Sequence, residues 1–407
     1  MRELEFQASD WQEVALGDVC VFRGGNGFKE EFQGQASGDH PFIKVSDLNL
    51  PGNEKYVISS RNWVSDAVRK SIGAALHPAG AVVFAKVGAA LRLNRRRILS
   101  VPTAIDNNMM TAVPDYERID AEYLYYFLLV QDLGRFCQES AVPSVNQRHL
   151  SSIEIGLPTL PEQRKITTIL RTWDEAIETL QDLRAAKAGQ LEALTDHLIH
   201  RTQSLKAPLQ GHLKEISTRN RDRDIERVLS VTNSAGFVLA DEQFSHRVAS
   251  VDTSNYKIVR LGQFAYNPSR INVGSIARLE DWAEGALSPM YVVFEVKRTL
   301  DAEYFFHWLV SRNTRRRIAL AAQGSVRETV SFESLGSIAI PLPNLDDQRK
   351  IARALTAVKS ELLLLEREIA VLARQKRGLI QKLLTGEWRV IVDTAPLVNS
   401  ATENTHG

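Results

Sequence analysis

Ile153-Glu154-Ile155-Gly156-Leu157-Pro158-Thr159-Leu160-Pro161-Glu162-Gln163-Arg164-Lys165-Ile166 recurs as Ile338-Ala339-Ile340-Pro341-Leu342-Pro343-Asn344-Leu345-Asp346-Asp347-Gln348-Arg349-Lys350-Ile351, displaced by 185 residues. Solenoid repeats recur every 20 to 50 residues or so, so this displacement marks two whole domains. The match runs on, because Leu170, Leu180, Leu194 and Leu198 fall on Leu355, Leu365, Leu379 and Leu383. Upstream, Ala121-Glu122-Tyr123 answers Ala302-Glu303-Tyr304 at a displacement of 181. The unit of duplication is a variable globular part followed by a constant segment.

The constant segments carry helical periodicity. Ile166, Leu170, Trp173, Ile177 and Leu180, resuming at Leu191, Leu194 and Leu198, step by fours and threes, the spacing of a coiled-coil seam that Arg184 and Lys187 interrupt. The second copy reads Ile351, Leu355, Val358, Leu362, Leu365, Ile369 and Leu372, then Lys376, Leu379 and Leu383. Pro161 and Glu162, and Asp346-Asp347 in the second copy, suit helix starts, and Gly386 suits a left-handed end. Seams of equal length that break at different heptads predict that the two helices pair with each other, antiparallel, about an approximate two-fold axis. At about 1.5 Å per residue, roughly 35 to 40 residues give a rod of about 50 to 60 Å.

The expected class is α+β: two tandem mixed α/β domains separated by two long helices that form an antiparallel coiled-coil spacer. The expected boundaries are a first variable domain over 1–157, spacer helix over 158–204, a second variable domain over 205–342, spacer helix over 343–390 and a disordered tail over 391–407. Composition permits this, with 44% hydrophobic and 24% charged residues in a chain of 407. Cys20 and Cys137 stand far apart without paired spacing, which offers neither a disulfide framework nor a zinc ribbon. No stretch approaches the roughly 20 apolar residues of a membrane span, and the start lacks a basic, then apolar leader, so a cytoplasmic protein is expected. Fifty basic against forty-nine acidic side chains leave a formal net charge of +1, so contact with nucleic acid has to come from local clusters.

Such clusters are present. Lys86 precedes Arg92-Leu93-Asn94-Arg95-Arg96-Arg97, a basic run expected at the tip of a hairpin between Ala81–Phe84 and Ile98–Val101. The corresponding place in the second half reads Asn267-Pro268-Ser269-Arg270-Ile271-Asn272-Val273-Gly274, amide-rich instead of arginine-rich. Guanidinium and amide groups are what bidentate pairing with base edges requires, and either run alone could equally be a solvated loop. Further polar candidates are Lys44, Asn107, Asn146, Gln147, Asn233 and Arg327. Arg312 and Arg315 to Arg317 follow the apolar segment Tyr304 to Val310, where arginines cap carbonyls, face solvent or grip phosphates.

Enzyme motifs are sparse. The chain lacks an Asn/Asp-Pro-Pro-aromatic tetrapeptide and any Gly-Lys pair, and Gly25-Asn26-Gly27 meets Glu30 where a third cofactor-loop glycine belongs. Asp281 with Glu295-Val296-Lys297 has the residue types of a nuclease metal site, without a counterpart in the first half. His197 and His200 stand at a helix end, where solvation is the ordinary fate.

The layout of variable domain, helix, variable domain, helix, each helix announced by Leu-Pro and an acid before Gln-Arg-Lys-Ile, resembles the specificity subunit of Type I restriction-modification systems over residues 11 to 389. Trp11 with Leu16-Gly17-Asp18-Val19 at the opening and Leu384-Thr385-Gly386-Glu387-Trp388-Arg389-Val390 at the close support it. So do the phrases Val228 to Asn233 and Tyr256 to Asn267. The resemblance implies a non-catalytic subunit that recognises an asymmetric, bipartite double-stranded DNA target. It also implies two methyltransferase subunits and added motor-nuclease subunits as partners, which would use S-adenosylmethionine, ATP and Mg. A stand-alone DNA-binding regulator, a coiled-coil scaffold and a nuclease are the alternatives. Arg23 to Phe28 lack a match in the second half, which makes an asymmetric target the expectation.

Overall fold

The structure, a computed structural model, describes residues 6–136, 144–233, 235–243, 252–323 and 329–392. Cys137, Arg327 and residues 393–407 of the tail lie outside the described residues. The chain forms two compact units, Met1–Thr179 with Ile369–Gly407, and Leu180–Glu368.

The first unit is built on a five-stranded sheet of β1 (Cys20–Gly24), β2 (Tyr56–Val57), β3 (Val82–Ala85), β4 (Arg96–Leu99) and β5 (Met109–Pro114), in the order β1-β5-β3-β4-β2. Its central strands are short apolar runs such as Val82-Val83-Phe84, buried on both faces. A small sheet pairs His40–Ile43 with Trp63–Val64 and, in parallel, with Ala104–Ile105. Helix Ala121–Val130 packs its Tyr123, Leu124 and Tyr126 into the main core, capped by Asp120, whose side chain accepts from the amides of Glu122 and Tyr123.

The second unit repeats the frame. β6 (Leu213–Ile216), β7 (Phe264–Tyr266), β8 (Ile276–Arg278) and β9 (Val292–Val296) lie in the order β6-β9-β7-β8, which matches β1-β5-β3-β4 strand for strand. Helix Ala302–Val310 is capped by Asp301 in the same way and buries Tyr304, Phe305 and Trp308.

The quoted motif is the joint between each domain and its long helix. Gln163 is fully buried; its Oε1 accepts from the Asp120 amide (2.8 Å) while its Nε2 donates to the carbonyls of Pro158 (2.9 Å) and Arg118 (3.0 Å). Gln348 does the same, accepting from the Asp301 amide (2.8 Å) and donating to the Pro343 carbonyl (2.8 Å). The Tyr123 hydroxyl donates to the Gly156 carbonyl (2.9 Å) and that of Tyr304 to the Pro341 carbonyl (2.8 Å). Strand Gln12–Ala15 pairs with Glu154–Leu157 in one unit, and Lys206–Pro208 with Ala339–Pro341 in the other.

The long helices span Leu160–Thr195 and Leu345–Leu384, 36 and 40 residues. They run antiparallel within each unit. In the first, Ile166 and Leu170 share a core with Leu379, Ile380 and Leu383, and Asp174 is ion-paired with Lys376. In the second, Arg184 donates to Glu366 (2.9 Å) and Lys187 pairs with Glu361, so numbers fall on one helix as they rise on the other. The two residues that interrupt the first seam are thus cross-helix ion pairs. Trp173, Ile177, Leu180, Leu191, Leu194 and Leu198 are half-buried, as are Ile351, Val358, Leu362, Leu365, Ile369 and Leu372, while Leu355 is fully buried. Leu183, Leu363, Leu364 and Val371, off the stripe, are exposed.

The opening and closing phrases meet. Arg389 donates to Asp10 (3.0 Å) and Glu162 (3.0 Å) and lies over the Trp11 ring, and the Gln7 amide donates to the Thr385 carbonyl (2.8 Å). Gly386 is left-handed, with φ at 73°. No helix among the described residues is long and apolar enough to cross a membrane.

Candidate nucleic-acid interface

Strand order places the two polar runs at the same point of the frame. Lys86 follows β3, and Asn267, displaced by 181, follows the matching strand β7. A second segment docks there in each unit, since the Val145 amide donates to the Lys86 carbonyl (3.0 Å) and the Val330 amide to the Pro268 carbonyl (3.0 Å). Each docked segment opens a short helix capped by its own polar residue, Asn146 accepting from the His149 amide (2.8 Å) and Ser331 from the Ser334 amide (3.0 Å).

In the first unit the backbone gathers several candidates at one edge. The Lys86 amide donates to the Asn108 carbonyl (2.9 Å), beside exposed Asn107. Lys44 follows strand His40–Ile43, whose Ile43 carbonyl accepts from the Asp106 amide (2.9 Å), so Lys44 and Asn107 leave neighbouring strands together. Lys44 is half-buried and donates to Gln33 (3.0 Å), whereas Gln147 is exposed in the first turn of its helix. The Lys86 ammonium lies over Gly24, where an added Cβ would stand 3.4 Å away.

The basic run corrects the hairpin expectation. β3 and β4 do pair antiparallel, but helix Ala89–Arg92 sits between them and Arg96 is inside the second strand, opposite Phe84. Arg96 is buried, donates to Asn94 and to the Arg95 carbonyl, and lies over the Phe84 ring. Burial lowers its guanidinium to about 9. It is a core residue and not a surface reader: the guanidinium stacks over Phe84 and its two terminal nitrogens find acceptors, while its Nε is buried without one. Asn94 is left-handed at φ 54° and spends its amide on the Leu129 carbonyl (3.1 Å); Arg95 donates to Asn49. Arg92 is exposed and keeps its reach.

In the second unit the polar run forms a turn, Ile271–Val273, pinned by buried Ile271 and closed by left-handed Gly274. Ser269, Arg270 and Asn272 are exposed on it, and an added Cβ on Gly274 would lie 3.7 Å from exposed Asn233. Asn267 is buried, its Oδ1 accepting from the Ser269 amide (3.0 Å), so it shapes the turn. Sequence reasoning passes over Val273 and Met290, both more than half exposed beside these amides. Apolar side chains of that kind suit the methyl group of thymine.

Two of the nuclease-like residues are otherwise engaged, Glu295 accepting from Lys214 (3.0 Å) and Lys297 donating to the Gly211 carbonyl (3.1 Å), and Asp281 is exposed. No group of three His, Cys, Asp or Glu among the described residues is placed to hold a metal ion. His200 is hydrogen-bonded to Ser311 (2.8 Å), and His197 faces solvent.

Comparison with known proteins agrees with this frame. A family model described as "Type I restriction modification DNA specificity domain" matches residues 8–186 and 269–374, more than half of the chain. The putative type I restriction enzyme MjaX specificity subunit of Methanocaldococcus jannaschii is 23% identical, with 94% of each chain covered. The EcoR124I/EcoR124II specificity subunit of Escherichia coli is 22% identical over 185 residues, 44% of this chain and 45% of that one. Among solved structures, the S subunit of a Type I system from M. genitalium shares the fold at a TM-score of 0.58 and 13% identity, covering 94% of this chain and 99% of that one. A chain from a structure of the type I R-M system does so at a TM-score of 0.57 and 15% identity, covering 94% and 100%. Duplicated domains, each clasped to a long helix through the same buried glutamine, and a family match over most of their length lead to one conclusion: the chain belongs to the DNA specificity subunits of Type I restriction-modification systems.

Proposed function

We propose that each compact unit reads one half of an asymmetric, bipartite duplex target. The observation that carries this is the pair of polar runs at matching strand ends, one built around Lys86, Arg92, Asn107 and Gln147, the other around Arg270, Asn272 and Asn233. One frame with different reading groups suits two different half-sites. The chain supplies recognition. Two methyltransferase subunits, docked beside the long helices, and motor-nuclease subunits supply the chemistry in the cytoplasm. S-adenosylmethionine, ATP and Mg belong to those partners.

The long helices act as a ruler in this reading. Removing one heptad from each would shorten a rod by about 10 Å, or roughly 3 base pairs of the unread gap. The test is genome-wide adenine methylation in the host with the gene present, deleted and heptad-shortened. Loss of one gapped, asymmetric motif on deletion, and a gap about 3 base pairs smaller on shortening, are expected. Tight, motif-selective binding by the chain without methyltransferase subunits, together with an unchanged methylome, would overturn the reading.

A further inference from the structure

Helix Arg312–Gln323 packs beside the reading turn Ile271–Val273, with Ile318 and Ile271 in the same core. The same helix carries a run of arginines. Arg317 donates to the Ala339 carbonyl (2.8 Å) and Arg312 reaches Glu192 (3.3 Å). Arg315 and Arg316 are exposed, and among the described residues neither meets a carboxylate. With Arg312 they form like-charge pairs at spacings of three and four, which weaken a helix unless an anion is present.

These arginines line a cleft of about 960 Å3, walled also by Leu191, His307 and Lys359. Its acids are taken up, Glu192 by Arg312 and Asp196 by Arg201 (2.8 Å). The surplus charge is positive. Guanidinium forks in that setting match the oxygens of phosphate.

Two polyanions could take such a surface, a nucleic-acid backbone or an acidic protein segment. The duplication decides between them. The matching positions of the first unit are Gln131, Asp132, Gly134 and Arg135, and there Arg135 is paired with Asp132 (3.8 Å). A subunit that docks on both units through their common frame would need the arginines twice. DNA flanking one half-site needs them once, and Arg316 stands within one helical turn of the residue seated against the reading turn.

We propose that Arg315 and Arg316, assisted by Arg312, clamp the phosphates of duplex DNA beside the half-site read by the second unit, without reading its sequence. This rests on the DNA-reading assignment above. The test uses the complex of the full chain with its methyltransferase subunits, its methylated motif in a duplex, and the exposed double variant R315Q/R316Q. Each phosphate neutralised contributes about 0.9 to the slope of log affinity against log salt, so the variant slope should be shallower by about 1.8. Raising salt fourfold, from about 50 to about 200 mM, should therefore cost the variant about 12-fold less affinity than the wild type. The methylated motif should stay the same. A slope equal to that of the wild type overturns the clamp, as does a changed base preference in one half-site. Failure of the variant to assemble with methyltransferase subunits at an unchanged slope assigns the surface to an acidic protein and also overturns it. A wild-type complex that binds every duplex alike overturns the half-site reading instead, and the clamp stands if the variant slope still falls.

Discussion

Replacing the clasp glutamines with leucine should detach each recognition domain from its long helix by a predictable amount. Gln348→Leu leaves the Asp301 amide and the Pro343 carbonyl without partners beside a buried side chain, in a partly buried site. At about 1 to 3 kcal/mol for each group left unsatisfied, the loss is about 2 to 6 kcal/mol. Gln163→Leu strands the Asp120 amide and two carbonyls, those of Pro158 and Arg118, and on the same scale should cost more, about 3 to 9 kcal/mol. Gln181→Leu, on the exposed face of the same helix, is the control and should stay within about 0.5 kcal/mol. Urea unfolding gives the totals. Hydrogen exchange localises them, because the Asp120 and Asp301 amides lose their acceptors and should exchange faster, each only in its own variant. Losses below about 1 kcal/mol at both clasps, or the reverse order, would refute the argument that these side chains tie helix to domain.

Other consequences follow from single sites. Arg270→Ala with Asn272→Ala should alter one half of the methylated motif and leave the other intact, at about 1 to 3 kcal/mol of discrimination for each bidentate base pairing removed, read by methylation sequencing. His77 and His307 are both held down to about 4 by burial, so each stays neutral when folded while its unfolded form takes a proton below about 6.5. Stability from these two is intact above that pH and drains between about 6.5 and 4, by about 1 to 2 kcal/mol each at pH 5; His307→Gln should remove about half of that slope in denaturation measured against pH. Glu366→Ala breaks an exposed cross-helix pair and should cost under about 1 kcal/mol in urea unfolding. Gly386→Ala should cost more, lowering the melting temperature, since its left-handed φ is compounded by a Cβ 2.4 Å from that of Ala8.

The frame was legible because its determinants are repeated and periodic. The 185-residue displacement marks the two joints, the three-and-four steps mark the helices, and Asp120 and Asp301 are ordinary caps. The role of glutamine in the motif was not legible, since its partners are backbone atoms more than forty residues away for Asp120 and Asp301. For the two polar runs, the sequence carried their place in the frame but not the burial of each residue. Lys86 and Asn267 do occupy matching strand ends, but a basic run has no feature that tells a core arginine from a surface one: Arg96 faces inward and Arg92 outward through strand pairing alone. Val273 and Met290 could not be singled out in advance because exposure of an apolar side chain is a tertiary fact.

The two units also show how a recognition domain can diverge without losing its place. On the first helix turn after the cap, buried Glu122 and half-buried Glu303 stand at the same position and both need a cation, since a carboxylate withdrawn from water without one is costly. Glu122 finds Lys55 and Arg171; burial pushes its carboxyl up, but bonds from Tyr56, Lys55 and Arg171 outweigh that and hold it below the usual range. Glu303 instead pairs with Arg278, from β8, at 2.5 Å. The acid is common and its partner is not. By contrast, each clasp glutamine and each joint tyrosine bonds to backbone atoms, which every residue supplies whatever its side chain. Side chains around the joint, and the loops beyond it, can therefore change while the domain keeps its angle to the helix.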